Sequence, residues 1–216
     1  MSPSSNSQHE RCSSDSPNTE PARIVLIGAG HIAGSWVDAC LASTRAELTA
    51  IVDLDEAKAA ALAARIPGCE PYSSLSELID QEPRIDAAIV ATPPSTHGDL
   101  VHELTDAGLH VLCEKPLCID LETAYRMSHA ARRNGVLLTM ASKFRFVPDV
   151  ERAKELIEEG VLGELQLFEN AFTARVDMSE RWNSRVEISG GGVLIDNGTH
   201  SLDLTRYFLG PCLLYT

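Results

Sequence analysis

The sequence has little positive charge. Its 18 lysines and arginines stand against 31 aspartates and glutamates, a formal net charge of −13. Phosphate backbones and anionic membranes are recognised by clustered Lys and Arg, so no nucleic-acid or membrane partner is expected. No apolar run approaches the roughly 18 residues that a membrane-crossing helix needs. The first residues, rich in Ser, Pro and Asn, lack the basic start, apolar stretch and small-residue cleavage site of a secretory signal. The six cysteines, Cys12, Cys40, Cys69, Cys113, Cys118 and Cys212, follow no ladder of spacings, and in a leaderless chain they read as reduced thiols of a cytoplasmic protein. No C-x-x-C or paired-histidine motif is present, and His97 and His102, five apart, do not share a helix face, so no metal site is expected. No internal repeat is evident.

What is present is the composition of a globular protein, 44% hydrophobic and 23% charged. A length of 216 residues suits one complete domain and part of a second. Residues 1–21 hold too little apolar surface to offset the entropy of ordering and are expected to be a disordered tail. From Arg23, short β-branched runs alternate with Ala- and Leu-rich helical patterns, which predicts an α/β fold: a doubly wound parallel sheet of the Rossmann type over residues 22–142. The strands expected are RIVLIG, ELTAIVD, a short one near Tyr72, DAAIVAT, LHVLCE and GVLLTMA, with helices between them. After Met140 the pattern changes to an amphipathic helix (VERAKELIEEG), an alternating strand (ELQLFENAF) and a glycine-led helix from GGGVLID onward. Residues 143–216 are therefore expected to be an incomplete α/β substrate domain with an open sheet.

The turn LIGAGHIAG places Gly28, Gly30 and Ala33 in a G-x-G-x-x-A spacing between a strand and a helix. Gly28 permits the tight turn, Gly30 lets backbone approach a pyrophosphate, and Ala33 lets the helix pack on the strand. His31 and Ile32 complete this turn at the helix N-terminus, where unpaired N–H groups favour an anion. Such a turn alone fits an ordinary strand–helix connection equally well. Asp53 shifts that balance, because it stands about 20 residues on, where a carboxylate receives the ribose hydroxyls of the adenosine. The same charge repels a 2′-phosphate, and Leu54 beside it offers no basic compensation, so NAD is favoured over NADP as cofactor.

Two further stretches sit where the sheet's carboxyl edge is expected. The loop TPPSTH brings Thr92, Pro93 and His97 there, or it is an ordinary connection with His97 starting a helix. VLCEKPLC brings Glu114 and Lys115, and Pro116 stops the strand. A partly desolvated Lys115 could give up a proton or polarise an oxygen, although a surface lysine at a strand end satisfies the spacing as well. In GGGVLIDNGTHSLD, a helix puts Asp196 and His200, four apart, on one face, either as a site or as a surface pair. Asp203 falls on the adjoining face. Cys113 reads as a small buried hydrophobe.

In order, GAGHIAG, ATPPSTH, HVLCEKPLC, KFRFVPDVERAKELIEEGVLGEL and GGGVLIDNGTHSLDLTRYFLG resemble the glucose-fructose oxidoreductase and inositol dehydrogenase (Gfo/Idh/MocA) family, over about Arg23 to Gly210. The resemblance implies a hydride transfer between NAD(P) and a secondary alcohol of a sugar, inositol or related polyol. It assigns Lys115 to the family's E-K-P lysine, which touches nicotinamide ribose and substrate hydroxyl. Asp196 and His200 fall on its D-x-G-x-H segment, with His200 as general base. It also implies a second domain that often carries an oligomer interface, so a homo-oligomer is expected where that domain is complete. Family members continue well beyond the D-x-G-x-H segment, so the chain is expected to be truncated. The alternative reading is a catalytically silent nucleotide-binding relative that acts through interaction.

Overall fold

The computed structural model describes residues 20–81, 84–179 and 181–211; residues 1–19 and 212–216, on which most of the expected tail and the chain end fall, lie outside the described residues. The first unit alternates strands and helices without exception: β1 (Ala22–Ile27), α1 (Ala33–Leu41), β2 (Ala46–Val52), α2 (Glu56–Ala63), β3 (Glu70–Tyr72), α3 (Leu75–Gln81), β4 (Ala87–Val90), α4 (Pro94–Asp106), β5 (His110–Cys113), α5 (Leu121–Arg133) and β6 (Leu138–Met140). All six strands are parallel, in the order β3-β2-β1-β4-β5-β6.

The strand residues explain why helices cover both faces. In β1, Val25 and Ile27 enter one apolar cluster with Val90, Val101, Leu104, Val111 and Met127, whereas Leu26 enters another with Val37, Ile51 and Ile89. Successive side chains of a strand point to opposite faces, so a run that is apolar at every position needs a helix layer on each side. The helices start where the sequence supplies caps. Asp55 accepts the Lys58 N–H at α2, Asp120 accepts the Thr123 N–H at 2.8 Å at α5, and Pro94 opens α4.

Beyond β6 a 3₁₀ turn (Lys143–Phe146) leads into α6 (Pro148–Glu158), and after a long stretch come α7 (Val186–Ser189), α8 (Val193–Asp196) and α9 (Gly198–Leu209). The strand expected at 164–172 is not formed. A strand exists only with a neighbour to take its N–H and C=O groups, and no described strand lies beside this stretch; Leu167 is 75% exposed. The single helix expected after GGG is split at Asn197 into α8 and α9.

One close contact between this second unit and the first is at Gly190. Gly190, at φ +74°, lies so close to Ile119 that a Cβ there would stand 2.7 Å from the Ile119 Cβ. Arg145 grips the Asp203 carboxylate with two hydrogen bonds, 2.8 and 2.5 Å, and its guanidinium lies 5.5 Å from the Tyr207 ring. These contacts tie the 3₁₀ turn to α9 beside the carboxyl edge of the sheet.

Candidate active site

The sheet's winding reverses between β1 and β4, whose carboxyl ends open a crevice of the kind that binds ligands in α/β folds. Gly28 has φ +102°, and a Cβ there would meet the Ala91 carbonyl group at 2.9 Å, so only glycine meets both demands. Gly30 is exposed, with open space where a Cβ would sit. The N–H groups of Gly30, His31 and Ile32 have no acceptor among the described residues, and no side chain caps α1. Unpaired N–H groups at the positive end of a helix suit an anionic pyrophosphate. Ala33 is fully buried and lets α1 lie against the sheet.

Asp53 directly follows β2 and accepts the Ala29 N–H at 2.7 Å through one oxygen and the Asp55 N–H at 2.8 Å through the other. It therefore fixes the glycine turn, and each oxygen keeps a lone pair for a hydroxyl donor. Leu54 beside it is 94% exposed.

After β4, the Thr96 hydroxyl lies 2.7 Å from that of Thr92 and 2.8 Å from the Pro93 carbonyl, which stiffens the loop. His97 lies within α4 and is fully buried. Its Nε2 is 2.8 Å from the Thr92 carbonyl oxygen, and its Nδ1 is 3.1 Å from the carbonyl oxygens of both Pro116 and Leu117. The ring thus faces backbone and has no exposed surface to offer a ligand. Burial lowers its pKa, against the pull of those three carbonyls and of Glu114.

The strand end at Glu114 and Lys115 reaches the same edge. The Glu114 N–H donates to the Val90 carbonyl at 2.8 Å, and the Glu114 carboxylate receives the Trp36 indole N–H and the Lys115 amide, each at 3.0 Å. The Lys115–Pro116 peptide is cis. The Lys115 ammonium forms an ion pair with the Asp196 carboxylate and lies 3.4 Å from the Asp196 carbonyl oxygen. Side-chain exposures of 22% and 24% leave the pair partly desolvated yet reachable. The flanking cysteines take no part: burial drives the Cys113 thiol far above its ordinary range, and Cys118 is raised by the same cause.

Asp196 ends α8 and His200 lies in the first turn of α9, so the two come from consecutive short helices and still meet at one place. His200 is 7% exposed, edge-on to Phe144 at 4.8 Å between ring centres and 6.0 Å from Phe172. Burial lowers its pKa below the usual 6.5, and the charges of Lys115 and Lys143 lower it further, so at neutral pH the ring is uncharged and can accept a proton. Asp203 is paired with Arg145, and its charge, like that of Asp196, opposes the lowering of the His200 pKa. Lys143, Phe144, Phe172 and Trp36 are not singled out by the sequence: the stretch KFRF marks a junction and part of a family motif but no particular chemistry, and nothing in the sequence points to Phe172 or Trp36. Among the described residues no group of three or more His, Cys, Asp or Glu is gathered for a metal ion.

Sheet order, glycine turn and the carboxylate at the end of β2 are together those of the dinucleotide-binding Rossmann class. Comparison with known proteins narrows this. A family model described as an oxidoreductase family with an NAD-binding Rossmann fold matches residues 22–142, and a Gfo/Idh/MocA C-terminal domain model matches residues 150–213. The chain belongs to the Gfo/Idh/MocA oxidoreductase family. It is 33% identical to the rhizopine catabolism protein MocA of Rhizobium meliloti, over 87% of this chain and 57% of that protein. It is also 33% identical to the D-glucoside 3-dehydrogenase of Escherichia coli K12, over 89% of this chain and 55% of that protein. Among solved structures, the WlbA dehydrogenase of Bordetella pertussis, in complex with NADH and UDP-GlcNAcA, superposes with a TM-score of 0.80 at 31% identity, covering 89% of this chain and 56% of that one. The chain thus spans little more than half the length of the relatives it matches.

Proposed function

We propose that the protein is a nicotinamide-dependent oxidoreductase that moves a hydride between a secondary alcohol of a sugar, inositol or related polyol and NAD. The observation that carries this reading is the ion pair of Lys115 with Asp196 at the carboxyl edge, within electrostatic reach of the buried His200. On this reading residues 22–142 are the cofactor domain and residues 143–216 bring the substrate side of the site. Gly28, Gly30, His31, Ile32 and Ala33 hold the pyrophosphate, Asp53 the adenosine ribose, and Thr92 and Pro93 wall the crevice. Asp53 and the exposed Leu54 favour NAD over NADP. His97 serves the cofactor indirectly, through the loops it holds.

When bound, the nicotinamide supplies the hydride-accepting carbon. His200, with its lone pair free, takes the proton of the substrate hydroxyl. As that proton leaves, negative charge grows on the oxygen, and the Lys115 ammonium donates a hydrogen bond to it. Asp196 keeps the ammonium aimed, through the ion pair with its carboxylate and the 3.4 Å approach of its carbonyl oxygen. Phe144 and Phe172 keep water from the far side of the imidazole. The reaction is the kind named for the D-glucoside dehydrogenase relative, and the carbohydrate portion of the ligand in the WlbA complex fits the same substrate class.

The test is NADH formation when the chain is given NAD and a panel of sugars and inositols. Turnover on at least one of them, falling about 10²–10³-fold in Lys115→Ala, is the expected result, the loss that follows removal of a preorganised donor to a developing oxyanion. Equal turnover in the variant would remove Lys115 from the mechanism.

A further inference from the structure

His97 joins two loops that the proposed mechanism needs in register. Thr92 follows β4 and walls the crevice, and Pro116 and Leu117 directly follow Lys115. The imidazole lies between their carbonyl oxygens, fully buried, at 2.8 Å from one and 3.1 Å from each of the other two. Among the described residues no other side-chain hydrogen bond links the Lys115 turn to α4, although Leu117 packs on the apolar cluster that holds Val101 and Leu104. From the far side, Glu114 fastens the start of the same turn to Trp36 of α1.

All three neighbours of the ring are acceptors, and an uncharged imidazole carries one N–H. With the proton on Nε2, the Nδ1 lone pair would face two carbonyl oxygens; with it on Nδ1, one N–H is shared between those two and a single lone pair faces Thr92. The second arrangement leaves the smaller repulsion.

We propose that His97 is the positioning residue for Lys115: its Nδ1–H holds the Pro116 and Leu117 carbonyls, so that the turn presents the Lys115 ammonium to Asp196. Two kinds of substitution separate this from a packing role. Asn places an amide nitrogen near the Nδ1 position, with two hydrogens for two carbonyls. Gln places its amide nitrogen near Nε2 and serves the Thr92 side alone. The positioning role rests on the proposed part of Lys115 in catalysis, but its test needs no turnover, so a failed hydride transfer and a mobile Lys115 are told apart.

The experiment is the acylation rate of Lys115 by an amine-specific reagent in the full chain, read by peptide mass spectrometry relative to Lys58, whose side chain is 62% exposed. In His97→Ala the Lys115 rate should rise about tenfold, the effect of losing a buried hydrogen bond of about 1.4 kcal/mol. His97→Asn should stay near the wild-type rate and His97→Gln should behave like His97→Ala. Met127→Ala, in the same apolar cluster and 1% exposed, controls for general loosening and should leave the rate unchanged. An unchanged rate in His97→Ala, a fast His97→Asn, a slow His97→Gln or a fast Met127→Ala would each overturn the proposal. Asn and Gln fill most of the histidine's volume, so their contrast decides the matter even where His97→Ala does not fold.

Discussion

Lys115 and Asp196 lie 81 positions apart, and each is ordinary in its own segment: a lysine after a strand, an aspartate near the end of a helical pattern. Their chemistry comes from being brought together in partial burial, with His200 alongside. The pH dependence of oxidation should report this. His200 accepts a proton only when uncharged, and its pKa lies below the usual 6.5, so activity should persist through neutral pH and fall as pH drops through that lowered value. Lys143 contributes to the lowering. Lys143→Ala should therefore raise the His200 pKa and move the acid limb of the kcat/KM profile to higher pH; an unmoved limb would mean that Lys143 does not act on the base. The residue types and the spacing of Asp196 and His200 were legible in the sequence. The cation of Lys143, the edge of Phe144 and the burial of His97 were not, because they depend on which loop faces which.

At the level of elements, the first unit was readable because each strand and helix carries its own signal. β1 is apolar at alternate and intervening positions alike, which demands cover on both faces, and α2 and α5 have Asp55 and Asp120 standing at their starts. Strand boundaries differ from the expected ones by up to three residues, as at β6, which begins at Leu138 within the expected GVLLTMA. The stretch at 164–172 shows the opposite case. Its alternation of apolar and polar residues is real, but a strand is a property of a pair, and a pattern within one segment cannot supply the partner. The break at Asn197 likewise leaves no trace in the apolar spacing. The close approach of Gly190 to Ile119 makes a sharp prediction. Gly190→Ala adds a Cβ at 2.7 Å from that of Ile119 and forces a side chain into positive φ, so it should cost about 1–3 kcal/mol. Thermal unfolding would show this as a lowered Tm, and an unchanged Tm would mean that the contact yields freely.

Over the whole molecule, two buried histidines link protons to folding. His97 and His200 both have pKa values below their usual 6.5 in the folded chain, chiefly through burial. Between the folded and the unfolded values the unfolded chain binds more protons, so stability rises with pH through that window and is lost as pH falls. Urea unfolding should give a lower midpoint at pH 5 than at pH 7.5, and part of the difference should vanish in a variant without His200; equal midpoints would contradict the burial of these rings as uncharged groups. No described helix is long and apolar enough to cross a membrane. The crevice between β1 and β4, where the glycine turn and Asp53 lie, is the place proposed for the cofactor.

That crevice is tested most directly by calorimetric titration of the folded chain with NADH and with NADPH, alongside Asp53→Ala. Saturable binding of one NADH per chain, weaker binding of NADPH, and loss of that preference in Asp53→Ala are expected. A folded chain that binds neither dinucleotide would contradict the central reading, and equal binding of both by the wild type would overturn the role given to Asp53.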